Sequence, residues 1–533
     1  MNETGRKLYL KRNVLVEPLF NHWYAWSYLI YPPTAAMYIA NSHLKIMRSF
    51  VANPQLHVAA LRNPAMMGGP FINYDASRVG AIRQLMETTA KEQADMVAFA
   101  EAIKELDGLL TSECSGYSLE QVYPKIPEIL RGYVELVYDL NNNVSFRFVE
   151  GLLYLSPFYK EGSQSVALSL VDKDGARPFI FSTPRLKDEA HVYLNVPFKH
   201  AGLDELFKMK ETPQTFGYIK EILGVQDADD EVFSSFFTED EPPAAAAAAY
   251  TGDGVKIRYF GHACVLIESG GTSILSDPVI SYDYATDVSR YTFSDLPDKI
   301  DYVFLTHNHQ DHLMFETLLQ LRHKIKTIIV PKSGGSMVDP SLKLLLQVLG
   351  FDNVREIDEM ESIGIEGGTI TGLPFFGEHA DLNIRTKMAF LVKMRDKLVM
   401  CAADSNNIEP KLYEHVQKAI GKVDVLFLGM ECEGAPLNWM YGPLLTKPMS
   451  RVMEQSRRLD GSNYDKGIDV VNKLMPEQVY VYAMGQEPWL TFLTSLQYTQ
   501  ESSPIIESDK LVNNCSGRGI TGERLYCRKE IFL

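Results

Sequence analysis

Apolar residues at Ile82, Leu85, Met86, Met96, Phe99, Ile103 and Leu106 recur at helical spacing. Ser77 stands where it can cap the helix they predict. A second helix is expected from Pro127, burying Ile129, Tyr133, Val137 and Leu140. Alternation in Val144-Ser145-Phe146-Arg147-Phe148-Val149 then predicts strands, so this half of the chain reads as α+β. From residue 256 the pattern changes to short apolar runs at 256–260, 264–268, 273–275, 301–305, 327–330, 389–392, 398–400, 423–427 and 479–482. With a helical stretch near 313–323 between them, they predict two packed sheets flanked by helices.

The two patterns meet at an acidic, proline- and alanine-rich stretch. Asp227, Asp229, Asp230 and Glu231 open it; Glu239-Asp240-Glu241, Pro242-Pro243 and six alanines follow. Such a stretch has little to bury, so residues 225–253 are expected to link an α+β domain at 1–224 to a second domain at 254–533. The aromatic run Trp23, Tyr24, Trp26, Tyr28 and Tyr31 could line a partner-binding surface, but packed core is the favoured reading.

Composition narrows the function classes. Hydrophobic residues make up 46% and charged residues 23%, as in folded soluble proteins. Residues 1–7 lack the apolar core of a signal peptide, and Pro32-Pro33 interrupts the apolar stretch at 24–40, which is too short to span a bilayer. The six cysteines are scattered with no CxxC pair, which fits reduced thiols in a cytoplasm. A net charge of −16 weighs against nucleic acid as a partner, and no membrane association is expected.

The chemistry concentrates in Thr306-His307-Asn308-His309-Gln310-Asp311-His312, directly after an apolar strand. On an extended turn His307 and His309 project the same way and can share a metal, while Asp311 and His312 can turn toward a second. Paired catalytic metals lie about 3.5–4 Å apart, so ligands this close in sequence can serve both.

With Asp277 after one strand and Asp404 at the end of another, the motif resembles the metallo-β-lactamase superfamily over residues 255–533. The resemblance implies an αββα sandwich with metals at the edge between its sheets. It gives Asp404 the place of the bridging carboxylate and makes Asp277 a support for the site rather than a ligand. Two departures stand out. The family's third histidine falls near residues 373–379, where Glu378 aligns best and His379 beside it is the alternative. Its last histidine should fall near 483–487, where there is none. Carboxylate oxygen is a harder donor than imidazole and favours iron or manganese over zinc.

A two-domain chain of this length with this altered site resembles the diiron β-hydroxylases of nonribosomal peptide assembly lines. That resemblance implies a ligand set of His307, His309, Asp311, His312, Glu378 and Asp404 around an oxo- or hydroxo-bridged pair of iron ions, with O2 as co-substrate. It implies β-hydroxylation of an amino acid held as a thioester on the carrier domain of a nonribosomal peptide synthetase. It also implies an amino-terminal domain that forms a homodimer and recognises the carrier. The chain shows no flavin or iron–sulfur motif, so electrons would come from an external donor. His262 and Glu431 are expected beside the ligands, and Trp439, Tyr441 and Trp489 are expected to be packing. The rival is a zinc or manganese hydrolase (a lactonase, phosphodiesterase or thioesterase), since Gly261-His262-Ala263 and Asp277-Pro278 are shared with lactonase-like members.

Overall fold

A computed structural model describes residues 6–63, 66–242 and 249–533. The amino-terminal domain centres on a four-stranded antiparallel sheet. In it β1 (Val14–Phe20) lies between β2 (Trp23–Tyr24) and β3 (Gln164–Leu170), and β4 (Val192–Leu194) pairs with β3. Helices α1 (Pro32–Tyr38), α2 (Leu44–Ala52), α3 (Val79–Glu92) and α4 (Ala94–Glu113) pack with it. The prolines of the 24–40 stretch open α1, where a missing N–H costs nothing. Trp23, Tyr24, Trp26, Tyr28 and Tyr31 are each at most 2% exposed, so the aromatic run is core.

Three local expectations give way to competing physics. The helical spacing over 82–106 is realised as two helices that part at Gln93, and the residue capping their approach is Asp75, which accepts from the Ser77 N–H. The helix expected from Pro127 does not form. Glu128–Leu130 is a single 3-10 turn, Gly132 takes φ +78°, and Val134–Tyr138 pairs antiparallel with Val144–Phe148. Val134 and Leu136 are buried while Glu135 between them is exposed, so the period of two prevails, and Leu140 sits fully exposed at the hairpin tip. The acidic stretch read as linker is folded through Thr238. Asp230–Ser235 is helical and Phe237–Thr238 pairs with Lys7–Leu10, because Phe233, Phe236 and Phe237 have a core to enter. Pro243 and the alanines at 244–248 lie outside the described residues.

The carboxyl-terminal domain is an αββα sandwich. Its strands are β5 (Lys256–Gly261), β6 (Cys264–Ser269), β7 (Thr272–Ser276), β8 (Ile300–Phe304), β9 (Ile325–Pro331), β10 (Val354–Ile357), β11 (Ser362–Ile365), β12 (Gly368–Leu373), β13 (Ala389–Met394), β14 (Lys397–Cys401), β15 (Val425–Gly429), β16 (Gln478–Tyr482), β17 (Thr521–Arg524) and β18 (Lys529–Phe532). One sheet runs β10-β9-β8-β7-β6-β5-β18 and the other β11-β12-β13-β14-β15-β16-β17, each mixed. Ile257, Val265, Ile274, Phe304, Phe390, Val392 and Phe427 fill the space between them, with Phe304 and Phe390 stacked at 4.5 Å.

Helix α5 (Phe315–Leu321) covers the first sheet, and the amino-terminal domain packs over that layer in one continuous apolar cluster. A buried ion network pins the two domains there. Arg177 bonds both Glu17 and Glu316, Arg185 bonds Glu17, and Tyr24 and Tyr282 donate to Glu316. Glu316 lies four residues beyond His312, so the amino-terminal domain holds the helix that begins at Phe315, just after the metal motif.

Candidate metal centre

Each candidate residue follows the carboxyl end of a strand: Asp277 after β7, residues 307–312 after β8, Glu378 after β12, Asp404 after β14 and Glu431 after β15. The sheet edges gather them at one place. The turns are tight: His262, Asp277, Glu378 and Ala403 are non-glycine residues at φ +51°, +31°, +62° and +48°. Side chains rarely adopt that region, and such positions cluster at functional sites. Gly429 lets the chain pass Asp404, since a Cβ there would lie 2.9 Å from Asp404 Oδ1 and 2.6 Å from the Ala403 carbonyl oxygen.

The donors form two corners that meet at Asp404. In the first, His307 Nε2 and His309 Nδ1 are 3.1 Å apart, Glu378 Oε1 is 2.8 Å from His309 Nδ1, and Glu378 Oε2 is 3.8 Å from His307 Nε2. In the second, His312 Nε2 is 3.1 Å from Asp404 Oδ2, which is also 3.7 Å from His307 Nε2. Asp311 stands beyond His312, its Oδ2 3.3 Å from His262 Nε2. Asp277 lies behind both corners. It accepts from the Thr306 N–H at 2.7 Å and hydroxyl at 2.6 Å and contacts His312 Nδ1 at 2.8 Å, which turns His312 Nε2 toward Asp404.

The electrostatics fit a pair of cations. Burial raises the Asp404 carboxyl above its ordinary range. Burial and the charges of Asp404, Asp311 and Glu378 push Glu431 well above its own. Against burial, His309 and His379 hold Glu378 down to about 2. Asp404 Oδ1 is buried and meets no hydrogen-bond donor. Four carboxyl groups crowded together with an orphaned buried oxygen are costly alone and are what two metal ions would stabilise. The donor triples His307–His309–Glu378 and His307–His312–Asp404 each close to within 4.8 Å, as does His262–Asp311–His312.

His379 stacks on His309 at 4.5 Å and turns Nδ1 toward Glu378 Oε2 at 3.0 Å, behind the carboxylate. The loop at 483–487, which lacks the superfamily's last histidine, donates its Gly485 N–H to His262 Nδ1 at 3.1 Å. An imidazole thus reaches that side of the site from β5. Tyr441, read as packing, is in contact with the site: its hydroxyl is 2.9 Å from His309 Nε2. Its only sequence signal is that a buried tyrosine needs a partner for its hydroxyl.

The chain matches the model of the diiron non-haem β-hydroxylase amino-terminal domain over residues 9–242 and that of a β-lactamase superfamily domain over 256–439. It is 39% identical over 530 residues, 98% of this chain and 99% of the relative, to the 4-amino-L-phenylalanyl-[CmlP-peptidyl-carrier-protein] 3-hydroxylase of Streptomyces venezuelae. The chain belongs to the diiron non-haem β-hydroxylase family. As a β-hydroxylase it superposes on the crystal structure of CmlA, a diiron β-hydroxylase from Streptomyces venezuelae, with a TM-score of 0.93 and 38% identity over 99% of this chain and 100% of that one. A UPF0173 protein of Pyrococcus abyssi is 32% identical over 127 residues, 24% of this chain and 50% of that protein. That second match covers 24% of the chain, against 98% for the hydroxylase. The zinc or manganese hydrolase reading, which rested on features of the metal domain alone, does not account for the match across both domains. The enzyme is a diiron oxygenase.

Proposed function

We propose that the enzyme hydroxylates the β-carbon of an amino acid held as a thioester on the carrier domain of a nonribosomal peptide synthetase, with O2 as co-substrate. The observation that carries this reading is Glu378. Its carboxylate closes the corner formed by His307 and His309, giving a donor set of three imidazoles and three carboxylates that favours iron over zinc. The full-length match to a hydroxylase named for a carrier-bound aminoacyl substrate supports the tethered substrate.

In this reading His307, His309, Glu378 and Asp404 would hold one iron, and Asp311, His312 and Asp404 would hold the other. The irons supply the oxidant that an unactivated C–H bond requires and that no side-chain base can provide. The chain's own residues do the rest. Asp277 fixes the orientation of His312, and His262 steadies Asp311. Electrons come from an external donor. The amino-terminal domain recognises the carrier and joins two chains in a dimer. Six unpaired cysteines fit work in the reducing cytoplasm. Among the described residues no helix is long and apolar enough to cross a membrane.

The test is to present candidate aminoacyl carrier proteins and 18O2 to the chemically reduced enzyme and to weigh the thioester-bound residue. Gain of one oxygen atom from O2 is expected. Oxygen drawn from water, or reaction of the free amino acid alone, would overturn the proposal.

A further inference from the structure

The aromatic run near the amino terminus packs against a tyrosine whose hydroxyl touches the metal centre. Tyr441 Oη lies 2.9 Å from His309 Nε2, the nitrogen opposite the one that faces Glu378 and His307. The Tyr441 ring packs beside that of Tyr28, their centroids 6.2 Å apart. Tyr28 donates to the Val338 carbonyl oxygen at 2.5 Å. Tyr28 and Tyr441 are each 1% exposed and His309 4%, so water does not replace these partners.

The two nitrogens of His309 face different neighbours. Nδ1 lies on the side where His307 Nε2 and Glu378 Oε1 converge, the side of the metal corner. With the Nδ1 lone pair turned there, Nε2 carries the imidazole proton and donates to Tyr441 Oη. Which ring nitrogen binds a metal is set by the hydrogen bond made by the other.

We propose that Tyr441 is a positioning residue of the metal centre, fixing His309 as the Nε2–H tautomer, and that Tyr28, anchored on Val338 and packed beside Tyr441, is the amino-terminal domain's support for that ring. The amino-terminal domain thereby completes the environment of one metal corner. The other corner takes its supports, Asp277 and His262, from the metal domain itself.

Tyr38 provides an internal control. It belongs to the same aromatic cluster, stands 6.5 Å from Tyr28 by ring centroids, is buried, and donates to the Met440 carbonyl rather than to His309. The experiment compares full-length wild type with Y441F, Y28F and Y38F, each loaded with 57Fe(II) alone. Iron affinity is read by competition with a chelator, and the two iron environments by Mössbauer spectroscopy. Loss of an outer partner of a metal-bound histidine weakens binding by about 10–100-fold. Y441F should show a loss in that range with one of the two iron signals changed, Y28F a smaller loss on the same signal, and Y38F neither. Thermal unfolding of the metal-free proteins separates this from a folding defect, which would not select one iron signal. The inference rests on His309 being an iron ligand. A wild type that takes up no iron would defeat that reading itself. A normal diiron wild type with an unaltered Y441F, or with Y38F as impaired as Y441F, would overturn this inference alone.

Discussion

The two corners of the metal centre are built from different materials. The His309 corner is sealed: His307, His309 and Glu378 have side chains 0–6% exposed, with Tyr441 and the amino-terminal aromatic cluster behind them. The Asp311 corner is more open, with the Asp311 and Asp404 side chains 19% and 12% exposed and Glu431 alongside. The difference teaches a division of labour. One corner is screened from solvent by packed side chains, and the other is the more open to an incoming molecule.

Asp404 joins the corners, so Asp404→Ala should have the largest effect. Both irons should lose affinity by more than the roughly 100-fold typical of an outer partner, and hydroxylation should vanish. An Asp404→Ala enzyme that keeps two irons would break the comparison, because the corners would then be independent. Glu378→His comes next. Adding a nitrogen donor to the sealed corner should shift metal retention from iron toward zinc, read by metal analysis after expression with both metals present, with hydroxylation lost. Retention of iron and activity would remove the carboxylate from the account.

His262→Ala probes the open corner. It should weaken the iron at Asp311 by about 10–100-fold and leave the His309 iron signal unchanged, the mirror image of the Tyr441 result. The ion network at the domain junction should matter for stability more than for either corner. Glu17 is buried, and Arg185 and Arg177 hold its carboxyl well below the usual range against the cost of burial. Its folded pKa is depressed, so the stability it contributes is present above the unfolded value of about 4.3 and is lost as pH falls below it. Glu17→Gln should cost about 3–5 kcal/mol at neutral pH, as for breaking a buried ion pair, and flatten the decline in melting temperature below about pH 5. An unchanged acid profile would show that the network does not couple the domains.

Legibility in the sequence follows the same line between local and distant contacts. The metal domain announces itself because its candidate ligands sit in a six-residue motif and at strand ends, where the strand pattern is itself a local signal. His307, His309, Asp311, His312 and Asp404 needed only that pattern and the family resemblance, and Glu378 emerged as a departure from it. The amino-terminal domain is less readable. At residues 134–138 a period of two overrode helical spacing, and at 230–238 three phenylalanines outweighed the acids around them. Tyr28 and Tyr441 lie 413 residues apart, and nothing in the spacing of either marks a partnership that only the docked domains create.

The most direct test of the two-corner account is Mössbauer spectroscopy of the full-length enzyme reconstituted with 57Fe(II). The account predicts two irons per chain in two distinct environments of equal abundance. A single iron, or two irons with indistinguishable environments that Y441F and H262A alter together, would contradict it.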